Sequence, residues 1–444
     1  VPSGIITNGL QGQCFRNMEK ISGVYIDSPF SIVPSTNQNQ FLGLGTKIGQ
    51  NYLYVTSRYY DEWKQSDIDG NNDGTVRGAF LRKGSPETRL YRTGDGGIEK
   101  SIDSDYIPGT LDIGGEWYSN KITPAVTLDI GQDVTGIGRR AFFNSDSILG
   151  DLYIPANVVE IQTEAFSAIN TGFGGSLIFG DEYETPKLKE IDNYAFWSSN
   201  FTGDLILPDS LTNVRDGAFK LSKFNGSLKY SKNPDFSVGP RAFEGSDFTG
   251  EIKIPEENTD GSIRSYTFKD CTGINSLIIS NNTEYLGIES FMECTGLNNI
   301  LQFQNLRSIS QKAFKGCSNL AGVEFGGKLR TVNDEAFSGC YGMQGGFELN
   351  KDVNVGDYAF KDCSGLSYIE SKVPIANLGV DSFKLQSNLT SDKILYVNTG
   401  NLQDYINQGT LQGDSDYYDG NLIRKIRENK LQTEYYDSNY NLID

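Results

Sequence analysis

One phenylalanine returns at a nearly fixed interval along this chain, and that interval constrains the fold more than any other feature. The residues are Phe142, Phe166, Phe196, Phe219, Phe243, Phe268, Phe291, Phe314, Phe337, Phe360 and Phe383. Their spacings are 24, 30, 23, 24 and 25, then 23 five times in succession. Other positions keep the same register. The residue before each Phe is small, Ala in most units and Thr267, Ser290 or Ser382 in the rest. Five residues before each Phe stands an aliphatic, from Ile137 and Ile161 to Val355 and Leu378. Nine to eleven residues after most of them comes a short alternating run, as at Leu152-Tyr153-Ile154, Leu205-Ile206-Leu207 and Val323-Glu324-Phe325.

Alternation with a period of two marks a strand with one face buried. Pro155, Pro208 and Pro255 follow such runs, and proline stops a strand because it cannot donate to the ladder. A unit of this length cannot bury its own apolar side, whereas stacked copies can. Each unit then adds one strand to a long parallel sheet and one Phe to an internal column. The small residue beside the Phe leaves room for the neighbouring ring.

Cys271, Cys294, Cys317, Cys340 and Cys363 lie 23 apart, three residues after their Phe. A disulfide framework needs uneven spacings that cross-link distant loops. A strict ladder reads instead as one reduced, buried thiol per unit.

The units read IPANVVEIQTEAF, LPDSLTNVRDGAF, LRSISQKAFKGCSNL and LRTVNDEAFSGC. This pattern resembles the BspA-like (Treponema-type) leucine-rich repeats over about residues 120–400. The first five units depart from it, with no Cys after the Phe and with stretches such as NFTGDL and KFNGSL in its place. The resemblance implies a leucine-rich-repeat solenoid of at least eleven units. It also implies a secreted or surface-anchored protein, many relatives being adhesins for host proteins, other cells or matrix.

Composition removes several function classes. The chain has no histidine, so Ser-His-Asp and Cys-His nucleophiles and His-ligated metals are excluded. A net charge of −18 opposes nucleic acid as a partner. No run of apolar residues is long enough to span a membrane. The chain starts at Val1 and not at Met, which fits a processed or trimmed form, and residues 1–20 carry no apolar signal-like core.

The expected organisation has three parts. Residues 1–118 form an N-terminal, mainly β, non-repeat domain. Residues 119–400 form the solenoid, and 401–444 a C-terminal cap and tail, with a last strand at DKILYV leading to a short helix. In the first part Tyr52, Tyr54, Tyr59, Tyr60 and Trp63 fit a carbohydrate platform or an ordinary β core. Asp69, Asn71 and Asp73 match the opening of a calcium loop, although Phe80 stands where a bidentate Glu belongs. A polar turn of this composition also forms without metal. No other cofactor is implied.

The middle residues of the long strands are Tyr153, Ile178, Ile206, Lys229, Lys253, Ile278, Leu301, Glu324, Glu348 and Glu370. As an outward column they make a binding face, of which Tyr153, Lys229, Lys253, Glu324, Glu348 and Glu370 are the candidate contacts. Cover by flanking loops is the competing reading. Three functions follow in order. The first is a non-enzymatic adhesion protein for a protein or glycan at a cell or particle surface. The second is a self-associating structural protein such as a virion appendage or filament subunit. The last is a two-carboxylate glycosidase, which no distinctive motif among the 57 acids supports.

Overall fold

The computed structural model describes residues 126–131, 134–146, 148–180, 184–255, 261–373, 377–379 and 382–383, and the paired strands of the two flanks. The chain divides into two compact units, Val1–Phe224 and Asn225–Asp444. Both are built from turns of parallel-sheet solenoid.

Each turn carries two strands where one was expected. In the first unit the long strand Leu149–Ile154 pairs in parallel with Phe173–Phe179. In the second, Gly250–Lys253 pairs with Ile274–Ile278, Ile300–Phe303 with Gly322–Phe325, and Gly345–Leu349 with Leu366–Ser371. The additional strand is only two residues long and ends on the aliphatic five places before the Phe. Ile137, Ile161, Ile191 and Val214 are in register in the first unit. Ile263, Leu286, Ile309, Val332 and Val355 are in register in the second. Two residues are too few to display alternation, so the periodic signal marks only the long strand.

The small residue and its Phe sit in a tight turn between these strands. The backbone two places before the Phe is left-handed at Arg140, Glu164, Tyr194, Arg241, Tyr266, Glu289, Lys312, Glu335 and Tyr358. Two places after it the same conformation recurs at Asn144, Ala168, Ser198, Leu221, Asp270, Glu293 and Asp362. A left-handed non-glycine residue costs roughly 1–2 kcal/mol. The return is a third ladder: alternating hand turns every second N–H group toward the next turn. Arg140, Phe142 and Asn144 donate to the carbonyls of Thr163, Ala165 and Ser167 at 3.0, 2.8 and 3.0 Å. Phe314 donates to Ala336 and Phe337 to Ala359, both at 2.7 Å. The residue before the Phe is small because backbones meet there.

The rings form the expected column. Phe142, Phe166, Phe196 and Phe219 stack at 5.1–5.2 Å. Phe243 to Phe360 stack at 5.2–5.3 Å, all nearly parallel and fully buried. The spacing follows from the inter-strand distance of about 4.8 Å, which sets the repeat of everything attached to the ladder.

The five cysteines of the ladder are free and buried. Each thiol donates to the carbonyl of the Phe one turn back, Cys271 to Phe243 at 3.0 Å and Cys317 to Phe291 at 3.1 Å. In the turns without Cys the same site is occupied by Ser145, Ile169, Ser199, Ser222 and Ser246, all buried. Four of these five turns add a second aromatic; the turn of Ser145 has the buried Ile148 instead. Phe173, Phe201, Phe224 and Phe248 set their rings edge-on to the column, at 5.8–6.1 Å and 71–76°. The stretches NFTG and KFNG are therefore core-forming, not mere connections.

In the N-terminal flank the strands Gly23–Ile26, Tyr52–Val55 and Ala79–Lys83 pair in parallel. In the C-terminal flank Lys393–Val397 and Ile423–Glu428 extend the sheet beyond Leu366–Ser371. The short helix expected after DKILYV lies outside the described residues. Among the described residues no helix is long and apolar enough to cross a membrane.

Candidate functional site

Strand alternation builds the candidate face. In the second unit, Leu228 and Tyr230 are buried and Lys229 points out; Ile252 and Ile254 are buried and Lys253 points out. Glu324 is exposed after Val323, and Glu348 is exposed between Phe347 and Leu349. Glu370, between Ile369 and Ser371, is half-buried.

Two positions of the expected column need correction. Tyr153 keeps the outward parity of its strand but is only 3 % exposed, so it offers no contact surface. Its strand contacts Val126–Asp129 and pairs with Phe173–Phe179, with Ile178 directly beside it. Leu301 is buried, and Gln302 takes the outward place, paired with Glu324. The outward place stands eleven residues after Phe291, as Glu348 does after Phe337, and Asn299 lies just before the strand. The Asn299 side-chain amide accepts from the Leu277 N–H at 3.1 Å and donates to the Leu277 carbonyl at 2.9 Å. The amide thus replaces a peptide group in the ladder.

The face is electrically polar. Lys229 and Lys253 occupy one end, Ile278 and Gln302 the middle, and Glu324, Glu348 and Glu370 the other end. At the usual inter-strand spacing the two extremes lie roughly 30 Å apart. That exceeds the Debye length of about 8 Å at physiological salt, so a partner reads the two ends separately. Glu348 and Glu370 are directly opposed, an arrangement that repels. Lys372, which the sequence reading did not single out, offsets it by bonding Glu348. That hydrogen bond holds the Lys372 ammonium pKa above its ordinary value. Gln302 donates to Glu324 at 3.1 Å. Apolar side chains are also in water here, with Ile278 42 % and Ile300 53 % exposed.

Glu324→Ala is expected to leave stability within about 0.5 kcal/mol of the parent, as at an exposed strand position. Urea unfolding measures it, and a loss of several times that size would mean the residue is buried.

Asp69, Asn71 and Asp73 lie outside the described residues, as do Tyr59, Tyr60 and Trp63. Among the described residues no group of three His, Cys, Asp or Glu side chains is arranged to hold a metal ion.

A family model described as a BspA type leucine rich repeat region matches residues 101–173, 177–260, 227–344 and 261–390, together more than half of the chain. No curated protein matches. Among solved structures, a leucine-rich repeat protein from Bacteroides ovatus is 19% identical with a TM-score of 0.42, over 78% of this chain and 98% of that one. A leucine rich cell surface protein from Faecalibacterium prausnitzii is 17% identical with a TM-score of 0.28, over 66% and 94%. The pneumococcal vaccine antigen PcpA is 15% identical with a TM-score of 0.44, over 73% and 85%.

Proposed function

Because the chain belongs to the BspA-type leucine-rich repeat family, we propose that it is a non-enzymatic recognition protein, secreted or held at a cell surface. It sets the outward strand face of its repeats against a protein or glycan partner. One contrast carries this reading. From turn to turn the buried positions repeat the same residue types, Phe, a small residue and an aliphatic. The outward positions, held in equivalent geometry, run through Lys253, Ile278, Gln302, Glu324 and Glu348. Packing fixes the first set, whereas a stack has no structural need for chemical variety in the second. Such a surface suits binding, and loops and faces on a rigid scaffold are where binding residues sit.

A second reading, an assembly protein such as a virion appendage or filament subunit, draws on exposed Ile278 and Ile300 on adjacent turns, since neighbouring exposed aliphatics mark contact sites. One experiment separates the two. The full chain is labelled and applied to an array of extracellular-matrix proteins and surface glycans, and its mass is followed by light scattering. Saturable capture by one array feature, with a monomeric mass, supports recognition. Ordered oligomers without capture overturn it in favour of assembly.

A further inference from the structure

We infer that a cleft in the first unit, between the insertion after Phe179 and the strand at Ile206, seats an aliphatic side chain of a basic, extended polypeptide segment. The inference rests on the recognition reading and narrows its partner to a polypeptide.

The cleft exists because one repeat is too long. Phe166 and Phe196 are 30 residues apart, while the shortest spacing is 23. The surplus leaves and rejoins the stack at nearly the same place. Gly180 donates to the Ile154 carbonyl and Lys187 to the Ala156 carbonyl, both at 2.8 Å. The stack beneath therefore stays in register across the excursion. Gly180 is left-handed, with φ of 69°, and a Cβ there would lie 2.4 Å from Pro186. Only glycine lets the loop fold back on itself so closely. Insertions of this kind in repeat proteins gather on one face, which is often the binding face.

The space between this loop and the next strand has a volume of about 750 Å³. That falls within the roughly 300–1,000 Å³ of ordinary ligand sites. Its apolar part includes Ile178, Pro186 and Ile206. Strand parity forces Ile206 outward between buried Leu205 and Leu207, leaving it 51 % exposed. Its polar part includes the carboxylates of Glu184, Asp204 and Asp209, and no lysine or arginine is among the described lining residues. An aliphatic floor under an acidic rim complements an aliphatic side chain with Lys or Arg beside it. Sugar rings are held better by the flat faces of Trp or Tyr; among the described lining residues the one aromatic ring is Phe179.

The test is fluorescence anisotropy with the full chain and three labelled heptapeptides, alternating Lys with Leu, Lys with Ser, and Glu with Leu. The Lys/Leu peptide is expected to bind saturably and roughly tenfold or more tighter than the other two, as one buried aliphatic side chain supplies. Ile206→Ser is expected to remove that advantage, and Asp204→Asn with Asp209→Asn to weaken the Lys/Leu peptide at low salt. Thermal unfolding of Ile206→Ser should match the parent, because the side chain is already half in water. Equal binding of the Lys/Ser peptide, or no effect of Ile206→Ser, would overturn the inference, leaving only the attraction of a chain with net charge −18. Binding of maltohexaose or cellohexaose that Ile206→Ser abolishes would overturn it in favour of sugar. Each of these outcomes leaves array capture by the strand face intact, so failure here is distinct from failure of the recognition reading.

Discussion

Phe314→Ala is expected to destabilise the fold by about 3–5 kcal/mol, the cost of emptying a closed aromatic site. The ring is fully buried and lies 5.2 Å from both Phe291 and Phe337, nearly parallel to each. Phe303 touches it from the long-strand side at 5.9 Å. The vacated volume cannot collapse easily, because the neighbouring rings are held by ladders on three sides of the turn. The Ala would still donate its N–H to Ala336, so the loss measures packing and not backbone pairing. Equilibrium urea unfolding reads the difference. An unchanged midpoint would remove Phe314 from the column.

The thiol ladder should make the second unit labile to alkali. Burial pushes the Cys271 thiol up to about 12 and raises Cys294, Cys317, Cys340 and Cys363 as well. An unfolded thiol ionises near pH 8.5. Below that value both states hold the proton and the ladder contributes fully. Above it the unfolded chain loses protons that the folded chain retains, so stability falls as pH rises toward the folded values. Each thiol contributes a slope of about 1.4 kcal/mol per pH unit, or about 2 kcal/mol by pH 10. Five such losses are comparable to the roughly 5–15 kcal/mol that holds a typical domain together. Cys317→Ser isolates one of them, since serine already occupies this site at Ser199 and Ser222. Between pH 7 and pH 10 the variant should lose about 2 kcal/mol less than the parent in urea unfolding. Equal losses would show that the thiol is not enclosed.

The same physics explains what could be read without coordinates. Phe, a small residue and the aliphatic five places before the Phe are inward in most turns, so packing repeats their types and their spacing reveals the solenoid. The left-handed turn left no such mark. Its two positions are outward and accept Arg140, Glu289, Lys312 and Tyr358 alike, because the demand falls on the backbone. Outward residues were legible only as far as the strand register was. At Leu301 parity held but the register was misplaced by one residue, since Ile300 to Phe303 alternate outward and inward and Asn299 precedes them with an amide that imitates a peptide group. Parity held at Tyr153 as well, but it does not report what covers a side chain. Ser145 and Ser199 stand in the place of Cys as small polar residues, and a polar residue's burial does not show without coordinates. The seven-residue excess between Phe166 and Phe196 was visible as a number, and its meaning as a cleft wall required the hydrogen bonds of Gly180 and Lys187.

The strand face is tested most directly by two triple variants that change the net charge equally. One carries Glu324→Gln, Glu348→Gln and Glu370→Gln; the other carries Glu160→Gln, Glu284→Gln and Glu289→Gln, away from that face. Affinity of each full-length variant is measured for the array feature that captures the parent. The face variant is predicted to weaken capture by roughly fivefold or more, as loss of several charge contacts does, while the control stays within about twofold. Equal affinities, or a loss confined to the control, would contradict recognition through the outward strands.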